Sequence, residues 1–176
     1  MSRLAIKPIS SGKAQVTVAG GTLSVKGAKG TLTKRVHPLI DIAVSPEGVK
    51  VSPKDSSRLA KALTGTFASH VKNMVQGVDT PYMKKLILDG VGYKYEVRGK
   101  DIVLTVGFSH PVTLAIPDDV AAKVEKNVMT LESINKESLG QFAAIVRGVK
   151  PPEPYLGKGI HYEGEVILRK QGKKAV

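Results

Sequence analysis

Apolar residues fall at every second position in two separate blocks of the chain, and each block is followed by one stretch of helical period. In the first block Val16 and Val18, then Leu23 and Val25, alternate with polar neighbours on either side of Gly20-Gly21, which predicts a hairpin. The run Val25 to Gly30 sets Lys26 and Lys29 between glycines. Leu39, Ile40, Ile42 and Val44 predict another strand, Pro46-Glu47-Gly48 a turn, and Val49 and Val51 the returning strand. Over residues 55–76 the period changes. Leu59, Leu63, Phe67, Val71 and Met74/Val75 recur every three to four positions, one stripe of a helix. Asp55, Ser56 and Ser57 are placed to accept its free N–H groups, and Gly77 is the residue expected to stop it.

The pattern restarts after Thr80-Pro81. Tyr82 to Leu88 has strand character, and Asp89-Gly90-Val91-Gly92 is a turn. Tyr93, Tyr95 and Val97 alternate up to the turn at Gly99-Lys100-Asp101, and Ile102 to Val106 returns. Gly107 to Pro111 breaks the ladder. Val112, Leu114 and Ile116 resume it, and Val120–Val124 and Val128–Ile134 are further strands. Asn135 is positioned to cap a second helix with Leu139, Phe142, Ala143 and Val146 on one face.

The two halves therefore repeat. Val18-Ala19-Gly20 matches Val97-Arg98-Gly99, Gly27 falls where Gly107 does, and Val71–Val78 matches Phe142–Val149. A repeat of this length means two copies of one small domain. The expected fold class is α+β: two tandem similar domains, each a mostly antiparallel sheet packed by one main helix, plus an extended basic C-terminal tail. The expected divisions are an N-terminal arm over 1–14 bearing Arg3, Lys7 and Lys13, a first domain over 15–79, a second over 80–149, and an extension over 150–176. Val166, Ile167 and Leu168 are the residues expected to pin that extension to the second sheet as an edge strand.

Charge adds what the pattern lacks. The chain of 176 residues carries 27 Lys+Arg against 15 Asp+Glu, a net +12. The excess is not even. Residues 101–146 hold three basic and six acidic groups, whereas 147–176 hold seven and three. Segregation of this kind suits a protein that turns some surfaces toward a polyanion and others away. There is no Cys, which excludes disulfides and thiolate metal sites. No apolar run approaches the ~20 residues that span a bilayer, and the N-terminus lacks a signal-peptide core, so a cytoplasmic location without membrane contact is expected.

The last quarter concentrates candidate chemistry. Pro151, Pro152 and Pro154 force an extended backbone. Tyr155, Gly157, Lys158, Gly159, His161 and Tyr162 then bring glycines, cations and flat rings together, and Arg169, Lys170, Lys173 and Lys174 follow. Glycines permit close backbone approach, cations meet phosphates and rings stack on bases, so an RNA-contact segment is expected here. Enzymatic patterns fail. Gly157-Lys158 is followed by Gly159 where a phosphate loop needs a hydroxyl. Gly90-Val91-Gly92 lacks the third glycine of a dinucleotide fingerprint. His37, His70, His110 and His161 have no metal-ligand spacing, and the adjacent Asp118-Asp119 point to opposite faces of a strand. No catalytic residue, metal, cofactor or small-molecule substrate is expected.

Pro152-Glu153-Pro154-Tyr155, Gly157-Lys158-Gly159-Ile160, Tyr162 and Glu165 together resemble the C-terminal signature of the bacterial large-subunit ribosomal protein L6 family. Further matches run in order along the chain: Met1-Ser2-Arg3, Val25-Lys26-Gly27 with Lys29-Gly30, Asn73-Met74-Val75 with Gly77-Val78, Gly90-Val91-Gly92-Tyr93, and Gly107 to Pro111. Leu156 and His161 depart from the signature, standing where the family usually has Lys and Arg. The resemblance implies two α+β domains end to end. It also implies binding to large-subunit (23S-type) ribosomal RNA, mainly through the second domain and tail, near the stalk base and factor-binding region and its neighbouring ribosomal proteins. On that reading Arg147, Lys150, Lys158, Arg169, Lys170, Lys173 and Lys174 neutralise phosphates, and Gly157 and Gly159 let the backbone approach. Tyr155 and Tyr162 stack on bases or brace the tail, bracing being the expectation for Tyr162. The competing reading is a protein-interaction module that docks through its Pro-rich segment.

Overall fold

The computed structural model describes residues 8–45 and 47–172. Arg3, Lys7, Pro46, Lys173 and Lys174, and the Met1-Ser2-Arg3 match, lie outside the described residues. The chain divides into two compact units at Pro81/Tyr82, the short Ile134–Lys136 stretch apart. Each is α+β.

In the first unit β1 (Gln15–Ala19), β2 (Thr22–Gly27) and β3 (Gly30–Arg35) form an antiparallel meander, and β4 (Ile40–Ser45) pairs with β5 (Gly48–Pro53). Helix α1 (Arg58–Asp79) follows. Leu23, Val25, Val49 and Val51 from the strands and Phe67, Ala68, Val71 and Val78 from the helix share one core. Each of the Leu, Val and Phe side chains contributes roughly 1.5–3 kcal/mol by leaving water. Strand β3 was not foreseen. Its Leu32 is the one apolar residue in a run of Thr, Lys and Arg, too sparse to show a period. Ile9, within the expected N-terminal arm, is stitched to Val49 by two backbone bonds of 2.9 and 2.8 Å.

The helix corrects two sequence expectations. Ser57 does cap it, its Oγ accepting from the Ala60 N–H at 3.2 Å. The buried stripe, however, runs through Ala60, Thr64, Phe67, Ala68, Val71, Met74 and Val78, and Leu59 is 57% exposed. Ala60 and Thr64 are small enough to sit against the sheet, and Thr64 satisfies its hydroxyl on the Ala60 carbonyl at 2.8 Å. Gly77 does not end the helix. It is a buried helical residue, and the helix continues to Asp79. Thr80, extended because it precedes Pro81, is the actual stop.

The second unit repeats the plan and adds to it. Strands β7 (Lys94–Arg98), β8 (Asp101–Thr105) and β9 (Val112–Ala115) form the meander. A four-stranded antiparallel sheet has the order β10 (Ala121–Glu125), β11 (Val128–Ser133), β6 (Tyr82–Asp89), β12 (Gly159–Tyr162). Helix α2 (Lys136–Val149) buries Leu139, Phe142, Ala143 and Val146 in one cluster with Leu86, Leu88, Met129, Leu131 and Ile160. The segment read as an extension thus enters the sheet. The edge strand is Gly159–Tyr162, in register Ile160↔Leu88 and Tyr162↔Leu86. Val166, Ile167 and Leu168, expected to supply it, form no strand, and Leu168 is 84% exposed. Glycine at 159 decides between them, because the edge of β6 is reached only by a backbone that passes hard against Pro151.

Candidate nucleic-acid interface

Helix α2 delivers the chain at Val149 to a set of loops at one end of the second unit. The Ile160 N–H donates to the Lys150 carbonyl at 2.8 Å, which holds the chain leaving the helix alongside β12. Gly159 makes this contact possible. Its φ is +142°, and a Cβ there would lie 2.6 Å from the Pro151 carbonyl oxygen and 2.7 Å from the Pro152 Cα. Between these points residues 153–158 form a closed loop. The Glu153 N–H donates to the Lys158 carbonyl at 2.9 Å and the Gly157 N–H to the Glu153 carbonyl at 3.1 Å. Tyr155 and Leu156 project from its tip.

The following segment folds back over this loop. The Lys170 N–H donates to the Pro154 carbonyl at 2.7 Å. The Arg169 guanidinium lies against Gly157, 3.1 Å from where a Cβ would stand. Two loops from the meander side complete the cluster. Tyr93 is wedged between Gly90, where a Cβ would meet its ring at 2.6 Å, and Gly107. Val91 beside it is 94% exposed. The Lys150 ammonium sits 5.1 Å from the centre of the exposed Phe108 ring, a cation–π distance. Tyr93, Lys150, Pro151, Glu153, Leu156 and Lys158 line a cavity of about 470 Å³.

A second constellation anchors the segment after β12. The Arg147 guanidinium grips the Glu165 carboxylate in a two-pronged bond, Nε to Oε2 at 3.1 Å with the second prong to Oε1. Glu165 Oε2 also accepts the Tyr162 N–H at 3.0 Å. Arg147 and then the Tyr162 amide hold the Glu165 carboxyl below the usual carboxylate range, and Glu165 raises Arg147 in turn. The Tyr162 ring receives Lys84 at 5.0 Å and Arg147 at 5.9 Å.

The sequence candidates therefore separate into groups. Lys150, Tyr155, Gly157, Lys158, Arg169 and Lys170 gather around one loop cluster. Gly159 and His161 are buried in β12, where His161 Nδ1 is 3.9 Å from Asp89 Oδ2 and forms no hydrogen bond among the described residues. Arg147 is committed to Glu165, and Tyr162 is clasped between that pair and Lys84. Sequence reasoning gave no binding or bracing role to Tyr93, Phe108, Glu153 or Glu165, and it set Tyr93 in a strand that begins only at Lys94. The first two had one legible signal, an aromatic ring flanked by glycines in Gly90 to Tyr93 and Gly107-Phe108. Among the described residues no three metal-ligating side chains converge, and no helix is long and apolar enough to cross a membrane.

Two copies of a sheet-plus-helix plan, the second carrying cations and exposed rings on one loop cluster, define a duplicated, basic α+β protein. The family model described as "Ribosomal protein L6" matches residues 12–80 and 90–163. The chain is 46% identical to the "Large ribosomal subunit protein uL6" of Desulforapulum autotrophicum, with 99% of each covered. It is 44% identical to the protein of that name from Desulfosudis oleivorans, over 98% of this chain and 99% of the other, and 43% to that from Burkholderia thailandensis, over 99% of each. The chain belongs to the ribosomal protein L6 family.

Proposed function

We propose that this chain is a structural constituent of the large ribosomal subunit, ribosome-bound in the cytoplasm, and that it binds large-subunit (23S-type) rRNA mainly through the second unit. The loop cluster around Lys150, Tyr155, Lys158, Arg169 and Lys170 is the RNA-facing surface. Lys173 and Lys174, outside the described residues, are assigned the same role. The location that goes with this reading is the stalk base and factor-binding region, beside the ribosomal proteins there. Its part is to brace RNA, with no chemistry of its own.

The observation that carries the proposal is the company these cations keep. Lys150 and Lys158 form no salt bridge among the described residues, and exposed Phe108, Tyr155 and Leu156 stand beside them. Exposed rings next to unneutralised cations suit a polyanion whose bases stack. Arg147 has a further role that the sequence did not suggest: it holds Glu165, and through it the returning segment. The Pro-rich stretch has little freedom to serve as a docking peptide, because Pro151, Glu153 and Pro154 all engage their backbone within the unit.

Deleting residues 150–176 would remove β12 from the core, so charge removal is the cleaner test. Replacing Lys150, Lys158 and Lys170 by Gln should lower the log–log salt slope of rRNA binding by about two units, at roughly 0.7–0.9 for each phosphate no longer neutralised. A slope equal to that of the unaltered chain refutes the assignment.

A further inference from the structure

We propose that the cavity lined by Tyr93, Lys150, Pro151, Glu153, Leu156 and Lys158 takes one unpaired nucleotide of the bound RNA, and that Glu153 selects guanine. This rests on the RNA-binding reading above and adds a base-specific site to it.

The cavity has the size and lining for the task. Its volume of about 470 Å³ lies within the roughly 300–1,000 Å³ of small-ligand pockets. Tyr93, Pro151 and the 65%-exposed Leu156 give it flat and apolar walls. Lys150 and Lys158 also line it and supply the phosphate partners. Part of its wall is built in: Tyr93 packs against Gly90 and Gly107, and the 153–158 loop carries two internal backbone bonds. A site built in advance loses little ordering entropy on binding. Bases splayed out of single-stranded RNA are what proteins read in this manner.

Glu153 is the feature that a phosphate-binding surface alone does not explain. It is the one acidic residue lining the cavity, and it joins none of the salt bridges among the described residues. A carboxylate there repels phosphate, so its use is to accept from a base. Carboxylate oxygens are acceptors only. Guanine offers N1–H and N2–H side by side on its Watson–Crick edge, two donors for two oxygens. Adenine and cytosine present a single exocyclic amine on that edge. Uracil has one N–H between two carbonyls, which the carboxylate repels.

The test uses the full chain bound to large-subunit rRNA, probed in parallel with hydroxyl radicals for the backbone and with kethoxal for unpaired guanine N1/N2. The expected result is one guanine, reactive in free RNA and inside the footprint, whose reactivity falls about fivefold or more on binding. Glu153→Gln keeps the side-chain volume and every backbone bond of the loop. It should restore that reactivity, leave the backbone footprint in place and weaken binding by about tenfold. Changing that guanine to adenine should weaken binding by the unaltered protein to a similar degree and add nothing to the effect of Glu153→Gln. A footprint with no protected guanine, or protection that survives Glu153→Gln, overturns the nucleotide pocket and leaves RNA binding standing. Absence of any footprint overturns both.

Discussion

Replacing Gly159 by Ala tests the claim that β12 is reached only through a glycine. The added Cβ would fall 2.6 Å from the Pro151 carbonyl oxygen and 2.7 Å from both the Pro151 carbonyl carbon and the Pro152 Cα. These are backbone atoms, so no side chain can swing aside. The φ of +142° adds strain of its own, about 1–3 kcal/mol for a residue with a Cβ. Relief requires shifting the Lys150–Pro152 backbone, which weakens the Ile160 N–H bond to Lys150, or lifting β12 off β6 and exposing Ile160. Either route raises the total to about 3 kcal/mol or more. For a unit of this size that lowers the melting temperature by roughly 10–20 °C. All five tyrosines lie at or beyond Tyr82 and there is no Trp, so tyrosine emission during urea or thermal unfolding reports the second unit alone. Gly172→Ala, where a Cβ meets open space, is the matched control and should change stability by less than about 0.5 kcal/mol. If Gly159→Ala unfolds within about 1 kcal/mol of that control, the close approach is not what places this strand.

Glu165, held below the usual carboxylate range in the folded state, contributes stability that is fully present above its unfolded value near 4.5 and is lost as pH falls through the depressed folded value. Urea midpoints read by tyrosine emission should therefore fall more steeply between pH 6 and pH 3 for the native chain than for Glu165→Gln, which at pH 7 costs about 1 kcal/mol because both partners are partly solvated; parallel curves would refute the pairing. Ser57→Ala removes the cap of α1 and should cost about 1 kcal/mol, seen by circular dichroism as earlier loss of helix in the first unit while the tyrosine transition stays fixed. Among the described residues the buried Tyr95 hydroxyl has no hydrogen-bond partner, and burial pushes its phenol pKa up, so Tyr95→Phe should be neutral or stabilising by up to about 1 kcal/mol; a thermal midpoint lowered by several degrees would mean that the hydroxyl has an unseen partner.

Local chemistry was legible in the sequence because it acts over a few residues. Gly20-Gly21 and Gly99-Lys100-Asp101 announced hairpins, Ser57 announced a helix start, and the alternation around Tyr95, Ile102 and Leu104 announced a buried face, although Val97 in the same alternation is 39% exposed. The duplication was legible for the same reason, since matched turns and stripes recur in order. The cations and rings of the loop cluster were also visible, because their types and crowding need no fold to be noticed. What they do was not. Nothing in the sequence showed that Arg147 would pair with Glu165, eighteen residues on.

Contacts between distant parts of the chain had to come from the fold. Nothing near Gly159–Tyr162 shows that β6 leaves an open edge there, and Val166–Leu168 looks more apolar and so the better strand. Backbone geometry at Pro151 settles the choice against composition. Gly77 reads as a stop because glycine tolerates left-handed backbone, yet burial keeps it helical. Residue types and short spacings determined most of the elements, β3 and β12 apart, and which segments are cationic. Only tertiary packing decided which cations stay free and which chain segment closes the sheet, because both depend on partners that sequence distance hides.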